Sequence, residues 1–406
     1  MVPKGWKLTS LGEICNGNLQ TGPFGSQLHA HEYVPVGIPV LMPKDLIGCR
    51  AKLADAAKIN QKKAQELKKH FLKTGDLLFS RRGDVARFAL IDEESEGSIC
   101  GTGCLKARPS DKHSSVFLAY FLQKDSIRKW LEQNAVGQTM PNMNTEILNE
   151  LPLMTASSKQ EEDRIAQILS TWDKAISVTE KLLANSQRQK KALMQQLLTG
   201  NKRLLDENGG RFIGEWCTCT LSEVAHIIMG SSPKSEAYND NGLGLPLIQG
   251  NADIKCRVSC PRVYTSDITK ECTPGDILLS VRAPVGTVAL SQHKACIGRG
   301  ISAIKSKRKM SQSFLYQWFL WFEPKWCYLS QGSTFESINS DDIKTLKLSV
   351  PNFEEQQKIA AVLSAADAEI STLEKKLACL KEEKKALMQQ LLTGKRRVKM
   401  DEAVAA

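Results

Sequence analysis

Residues 190–200 read KKALMQQLLTG, and residues 384–394 read KKALMQQLLTG again. The offset is 194 (384 − 190), nearly half of the 406-residue chain. Upstream the match continues without a gap: Ile165, Ala166, Leu169, Ser170, Asp173, Ile176 and Ser177 recur as Ile359, Ala360, Leu363, Ser364, Asp367, Ile370 and Ser371. Identity of this extent at one fixed offset is a tandem duplication, and it organises every other assignment.

Both copies read as long helices. In the second, Leu363, Ala366, Ile370, Leu373, Leu377, Leu380, Leu387 and Leu391 follow alternating spacings of three and four, interrupted only where Lys384 falls on the stripe. That is the spacing of a coiled-coil seam. The first copy carries the same seam as Leu169, Trp172, Ile176, Thr179, Leu183, Ser186, Lys190, Leu193 and Leu197, more polar in its middle. Ser158 with Glu161, and Asn352 with Glu355, stand at capping-box spacing at the two starts. Gly200 and Gly394 stop the helices in the position beyond the C-cap. About 40 residues at ~1.5 Å each make a rod of roughly 60 Å. A lone stripe of this kind leaves leucines in water; an antiparallel pair lets each helix bury the other's stripe. The alternative is that each helix packs on its own globule.

The segments between the helices are related more loosely. Gly75-Asp-Leu-Leu-Phe-Ser-Arg-Arg82 matches Gly275-Asp-Ile-Leu-Leu-Ser-Val-Arg282, and both run on into a turn and an apolar strand ending at Leu90 and Leu290. Trp6 with Leu11-Gly-Glu-Ile matches Trp216 with Leu221-Ser-Glu-Val, and Gly137-Gln-Thr then Asn144 matches Gly332-Ser-Thr then Asn339. The fold class that follows is α+β: two similar β-rich globules separated by two long antiparallel coiled-coil helices, with pseudo-two-fold internal duplication. The expected boundaries are 1–155 for the first globule and 156–200 for the first spacer helix. A linker and the second globule follow over 201–350, then 351–396 for the second spacer helix and 397–406 for a tail. The copies keep a frame and differ in their loops, the pattern of one scaffold reading two different things.

Composition narrows the function classes. Hydrophobic residues make up 42% and charged residues 24%, ordinary globular values that exclude a disordered chain. No run of ~18 uncharged apolar residues offers a membrane span, and the start MVPKGWKLTS lacks the apolar core of a signal peptide. The expectation is a cytoplasmic protein with no membrane partner. Net charge is +11, from 55 basic and 44 acidic residues, and the excess is spread along the chain, which suits an extended polyanion touched in several places. The 12 cysteines include no pair with the two-residue gap of a zinc knuckle, so they read as small hydrophobes and no metal site is expected.

No catalytic constellation emerges. The chain has no G-x-x-x-x-G-K-[ST] phosphate loop for ATP, no G-x-G-x-x-G turn, and no Asn/Asp-Pro-Pro-aromatic motif for holding a flipped base. Gly101-Thr-Gly103 reads as a turn between strands. What a reader of nucleic acid needs is present: loops of Gln, Asn, Ser, Thr, Arg and Lys, which pair with base edges and phosphates. In the first globule the candidates are Gln20, Ser26, Gln27, His29, His31, Lys44, Arg81, Arg82, Arg87, Gln138, Thr139, Asn142 and Asn144. In the second they are Ser231, Ser232, Lys234, Tyr238, Asn239, Gln249, Asn251, Arg282, Arg299, Ser333, Thr334 and Asn339. Arg82 and Arg282 stand out because they recur at equivalent turns in diverged segments; an ion pair to Asp76 or Asp276 is the alternative reading of each.

Two diverged globules alternating with two near-identical helices that close on K-A-L-M-Q-Q-L-L-T-G resemble the DNA-specificity subunit of type I restriction–modification systems. The elements G-D-[LI]-L-x-S-x-R and Pro351-Asn-Phe-Glu-Glu-Gln-Gln-Lys-Ile-Ala, the latter partly kept over residues 157–166, are similar to that family. The likeness covers nearly the whole chain; the first copy departs from it by lacking the proline and aromatic before its helix. The resemblance implies a non-catalytic subunit whose globules are target-recognition domains, each reading half of a bipartite, asymmetric double-stranded DNA site. It implies that the paired helices set the gap and dock two modification subunits, which bring S-adenosylmethionine and methylate an adenine in each half. Restriction subunits, translocating and cleaving with ATP and Mg, then join; this chain itself is expected to bind no cofactor. Independently of the family, two globules on a rigid rod can touch one face of a duplex at sites ~34 Å apart. A coiled-coil adaptor whose globules bind proteins is the alternative from another class, and a self-sufficient methyltransferase or nuclease is a third.

Overall fold

The structure is a computed structural model that describes residues 2–137, 141–326 and 337–399. The chain forms two units, one of residues 1–179 with 376–406 and the other of residues 180–375. No helix among the described residues is long and apolar enough to cross a membrane.

The central strand of the first unit, Leu77–Ser80, is buried along its whole length. Its side chains alternate between two cores: Leu77 and Phe79 join Phe117, Phe121 and Trp6 under a helical layer, while Leu78 joins Leu41, Cys100 and Cys104 beneath a second sheet. Burial on both faces explains why Leu-Leu-Phe reads as a continuous apolar run instead of an alternation. This strand lies inside a six-stranded sheet, between Cys104–Ala107 and Phe88–Leu90. The second sheet, of four strands, pairs Ile99–Cys100 in parallel with Ile38–Leu41. The buried cysteines behave as apolar core atoms, and burial pushes the Cys100 thiol up to about 12.

The second unit repeats this plan. Ile277–Ser280 is its fully buried central strand, with Ile277 and Leu279 on the helical side and Leu278 against Ile248 and Ile297. It lies between Ile301–Ser306 and Val288–Leu290 in a six-stranded sheet, and a five-stranded sheet stands in place of the four-stranded one. The matched segments of sequence are therefore the matched strands of the fold.

Two helices of 39 residues, Lys159–Leu197 and Phe353–Leu391, complete the structure. Each contributes to both units. In the first unit, Ile165, Ala166 and Leu169 at the start of one helix share a core with Leu391 and Leu392 at the end of the other. In the second unit, Ile359, Ala360 and Leu363 share a core with Met194, Leu197 and Leu198. The packing thus combines the two arrangements open to an apolar stripe, since each helix starts on its own globule and also pairs with its counterpart. None of the seam residues Leu169, Trp172, Ile176, Leu183, Leu193, Leu197, Leu363, Ile370, Leu373, Leu377, Leu387 and Leu391 is exposed.

The two lysines that interrupt the seam have partners. Lys384 pairs with Asp173 in the first unit, and Lys190 pairs with Asp367 in the second. Past the helix ends, Arg397 grips Glu161 (2.6 and 2.9 Å) and Arg203 grips Glu355 (2.6 and 2.6 Å), both as two-pronged forks. All four pairs obey the 194-residue offset. Advancing from Lys384 to Arg397 takes the partner back from Asp173 to Glu161, so the helices run antiparallel.

These forks correct one expectation. Ser158 and Asn352 do cap the helices, accepting from the amides of Glu161 (3.3 Å) and Glu355 (2.9 Å). The glutamates do not close reciprocal capping boxes: their carboxylates turn to the arginines, and Glu161 also accepts from the Ser157 amide (3.2 Å). Glycine is required beyond each helix, because Gly200 and Gly394 hold φ of +73° and +65°. A Cβ on Gly394 would also lie 2.6 Å from Pro3.

The glutamate side chains are 3% and 0% exposed, so removing either arginine strands a buried charge. Arg397→Ala and Arg203→Ala should each lower stability by about 2–4 kcal/mol, less than a wholly buried pair because the guanidiniums are partly solvated. Adding Glu355→Gln to Arg203→Ala should recover part of that loss, read as the shift in urea midpoint. Equal midpoints for all variants would exclude the forks as structural clasps.

Candidate nucleic-acid interface

In each unit four loops meet at one backbone junction, where the chain crosses between sheets. In the first unit the crossing is Gly101-Thr102-Gly103. The Gly101 amide donates to the Leu41 carbonyl (2.9 Å), Cys104 donates to Gly101 (3.0 Å), and Arg81 donates to Gly103 (2.8 Å). Gly22 presses onto this turn so closely that a Cβ there would lie 1.8 Å from the Gly101 oxygen. The second unit repeats each contact with Gly298-Arg299-Gly300. Gly298 donates to Ile248 (2.8 Å), Ile301 to Gly298 (3.0 Å) and Val281 to Gly300 (2.9 Å). A Cβ on Gly230 would sit 2.2 Å from the Gly298 oxygen, and one on Gly300 would sit 2.3 Å from the Gln249 oxygen. Only glycine permits backbones to approach this closely. The turn expected at Gly101-Thr-Gly103 is there, and it is the centre of the junction.

Several candidate side chains collect here. In the first unit Gln20 lies on the strand Leu19–Thr21 leading into the junction. Arg81 and Arg82 follow the central strand, and Arg82 bridges backbone to backbone with Asn142. The Nε of Arg81 and the Oδ1 of Asn142 are buried, with no hydrogen-bond partner among the described residues. Lys44 and Arg87 border a cleft of about 690 Å³ whose other walls include Ile47, Asp84 and Arg128; Arg87 donates to the Pro43 carbonyl (3.1 Å). Arg128, which also faces Asp84 and Glu132, carries no distinguishing mark in the sequence, sitting on an ordinary amphipathic helix. In the second unit Ser231, Gln249, Arg282 and Arg299 stand at the junction, all four exposed on it.

Other candidates are committed to local structure. Asn144 and Asn339 cap the helices Thr145–Glu150 and Ser340–Lys344, accepting from the Ile147 amide (2.8 Å) and from the Asp341 and Asp342 amides (2.9 and 3.0 Å). Asn239 braces its own loop through Leu243, and Tyr238 donates to the Pro233 carbonyl (3.3 Å). The Lys234 amide donates to Asp267 (3.0 Å), Ser232 is exposed beside it, and Asn251 opens a helical turn. Ser26, Gln27, His29 and His31 form a separate loop. Gln27 closes the turn at Phe24, and the two imidazoles stack 5.6 Å apart. Gln138, Thr139, Ser333 and Thr334 lie outside the described residues.

The ion-pair alternative for Arg82 and Arg282 does not hold. Asp76 is taken by Arg108 through two 2.7 Å hydrogen bonds, which raise the Arg108 pKa above its ordinary range. Asp276 accepts from the amide and hydroxyl of Thr273 (2.7 and 2.9 Å). Arg82 and Arg282 remain exposed, with no acidic partner among the described residues.

Residues 3–185 and 213–382 match the family model described as the type I restriction modification DNA specificity domain. The chain is 30% identical over 412 residues to the MjaX type I restriction enzyme specificity subunit assigned in Methanocaldococcus jannaschii, covering 98% of this chain and 95% of that one. It is similar to the crystal structure of the HsdS subunit from Thermoanaerobacter tengcongensis, at 25% identity and a TM-score of 0.51, over 97% of this chain and 98% of that chain. The type I restriction-modification S subunit from M. genitalium shares the fold at 17% identity, with a TM-score of 0.62 over 98% and 97% of the two chains.

The junction makes its own prediction. Gly22→Ala and Gly230→Ala force backbone against backbone and should each cost about 1–3 kcal/mol, with faster amide exchange in the loops around residues 101 and 298. Gly250→Ala, in extended backbone with open space around it, should change neither. Unaltered exchange in the first two variants would show that the loops are not locked together there.

Proposed function

The chain belongs to the type I restriction modification DNA specificity family, and from that premise we propose that each of its units reads one half of a bipartite, asymmetric DNA site. The observation that carries this reading is the repeated junction: one backbone arrangement in both units, dressed with different side chains. Identical frames with unlike polar edges suit two readers built to one plan and recognising different sequences. Arg82 and Arg282, common to both, act on phosphate, which is the same at every base pair; the unshared side chains supply base readout.

The two long helices set the unread gap between the halves and dock two modification subunits. Those partners hold S-adenosylmethionine and methylate an adenine in each half, and restriction subunits with ATP and Mg join the assembly in the cytoplasm. This chain contributes recognition and no chemical step. Linking two readers raises the effective concentration of the second at its half-site once the first has bound, so neither needs high affinity alone.

Exchange of residues 1–155 for the first globule of a relative with another target should change one half-site of the methylated sequence and leave the other as it was. A change in both halves, or in neither, would defeat the one-unit-one-half assignment. Arg82→Ala and Arg282→Ala should weaken DNA binding for all sequences alike, each lowering the slope of log affinity against log salt by about one. Binding by the assembled complex that ignores sequence altogether would favour the adaptor reading.

A further inference from the structure

Superimposing the junctions by their hydrogen bonds makes Leu41 equivalent to Ile248, Arg81 to Val281, and Gly101 and Gly103 to Gly298 and Gly300. Thr102 and Arg299 then occupy the same place. Thr102 is half-buried, whereas Arg299 is exposed and has no acidic partner among the described residues. We infer that Arg299 is a specificity-determining residue that selects a guanine in the half-site read by the second unit, and that Thr102 leaves this preference out of the other half. This inference rests on the two-reader function proposed above.

Three features support it. The backbone carrying Arg299 is fixed on both sides, by the amides of Gly298 and Ile301 and by the Gly300 carbonyl, so binding has only the side chain to order. The guanidinium presents two parallel donors, which match the O6 and N7 acceptors of guanine in the major groove; adenine offers a donor in place of O6. Phosphate contact falls instead to Arg282, because an equivalent arginine, Arg82, stands in the first unit, and a group that meets the invariant backbone has reason to occur in both. An arginine present on one side only is where sequence information can differ. Gln249 of the same junction is exposed beside it, while its counterpart Met42, which like it precedes a turn capped by an aspartate, has no polar edge to offer. The polar surplus of the second unit is thus concentrated at one corner.

The test uses the full chain assembled with its modification subunits and a library of target duplexes varied one base pair at a time. For Arg299→Ala the expected result is loss of about 5-fold to 150-fold discrimination at a single guanine of the second half-site, every position of the first half unchanged and the salt slope unchanged. Uniform weakening on all duplexes with the slope reduced by about one would make Arg299 a phosphate contact and overturn the inference, as would discrimination equal to that of the parent chain. The exchange of residues 1–155 is run in parallel. If it moves one half-site while Arg299→Ala alters nothing, this inference alone fails; if it moves both or neither, the two-reader function fails with it.

Discussion

A carboxylate shut away from water at the start of each long helix sets the terms for the rest of the molecule. Glu161 and Glu355 are tolerable in the folded state only with a guanidinium against them. Each guanidinium follows the end of the opposite helix, 236 and 152 residues away in the chain. The forks can close only when the helices are antiparallel and in one register. Lys190–Asp367 and Lys384–Asp173 enforce the same register further along, placing charge where a leucine would otherwise continue the seam. A purely apolar seam tolerates slippage by a heptad; four charge pairs at one offset do not. Once that register is fixed, the terminal leucines of one helix reach the core built around the start of the other, and each unit acquires its full apolar interior.

The second constraint is the glycine junction, which does for the loops what the forks do for the helices. Surface loops are ordinarily the least ordered part of a domain, and a mobile loop gives up entropy when it binds. Here the crossing turn is hydrogen-bonded to the segments beside it and pressed by a further glycine loop, so the backbone under its outer residue is held from several sides. The frame is indifferent to that outer residue, since Thr102 and Arg299 sit on the same set of main-chain bonds.

Much of this was legible in the sequence, and the parts that were not share a cause. The duplication, the seam and the buried central strands announce themselves through period and local apolar runs, which depend only on neighbours in the chain. Lys190 and Lys384 read as flaws in the seam because their aspartates lie far off in sequence. Glu161 and Glu355 read as capping-box residues because the local spacing was right, although the carboxylates turned out to serve distant arginines. Asn144 and Asn339 align with one another as candidate DNA contacts, and each also precedes a short helix, Thr145-Glu146 and Ser340-Asp341, a position that itself signals the cap the structure has. Gly101-Thr-Gly103 reads as a turn; the close approach of Gly22 to it, and of Gly230 to Gly298, is a tertiary property that no single segment reveals.

The contrast between the matched helix ends and the unlike loops follows from how each residue is coupled. A charge just beyond a helix end such as Arg203 has an obligate partner in a different segment, so changing it alone strands a buried ion; the two positions can be altered only in concert. A junction residue such as Arg299 is exposed on a glycine-flanked backbone, and replacing it removes no ion-pair partner among the described residues. Stability is therefore carried by the duplicated frame, and the exposed edge of the junction can change at little thermodynamic cost. Substitution at a few exposed junction positions can therefore leave the register, the cores and the long helices as they are.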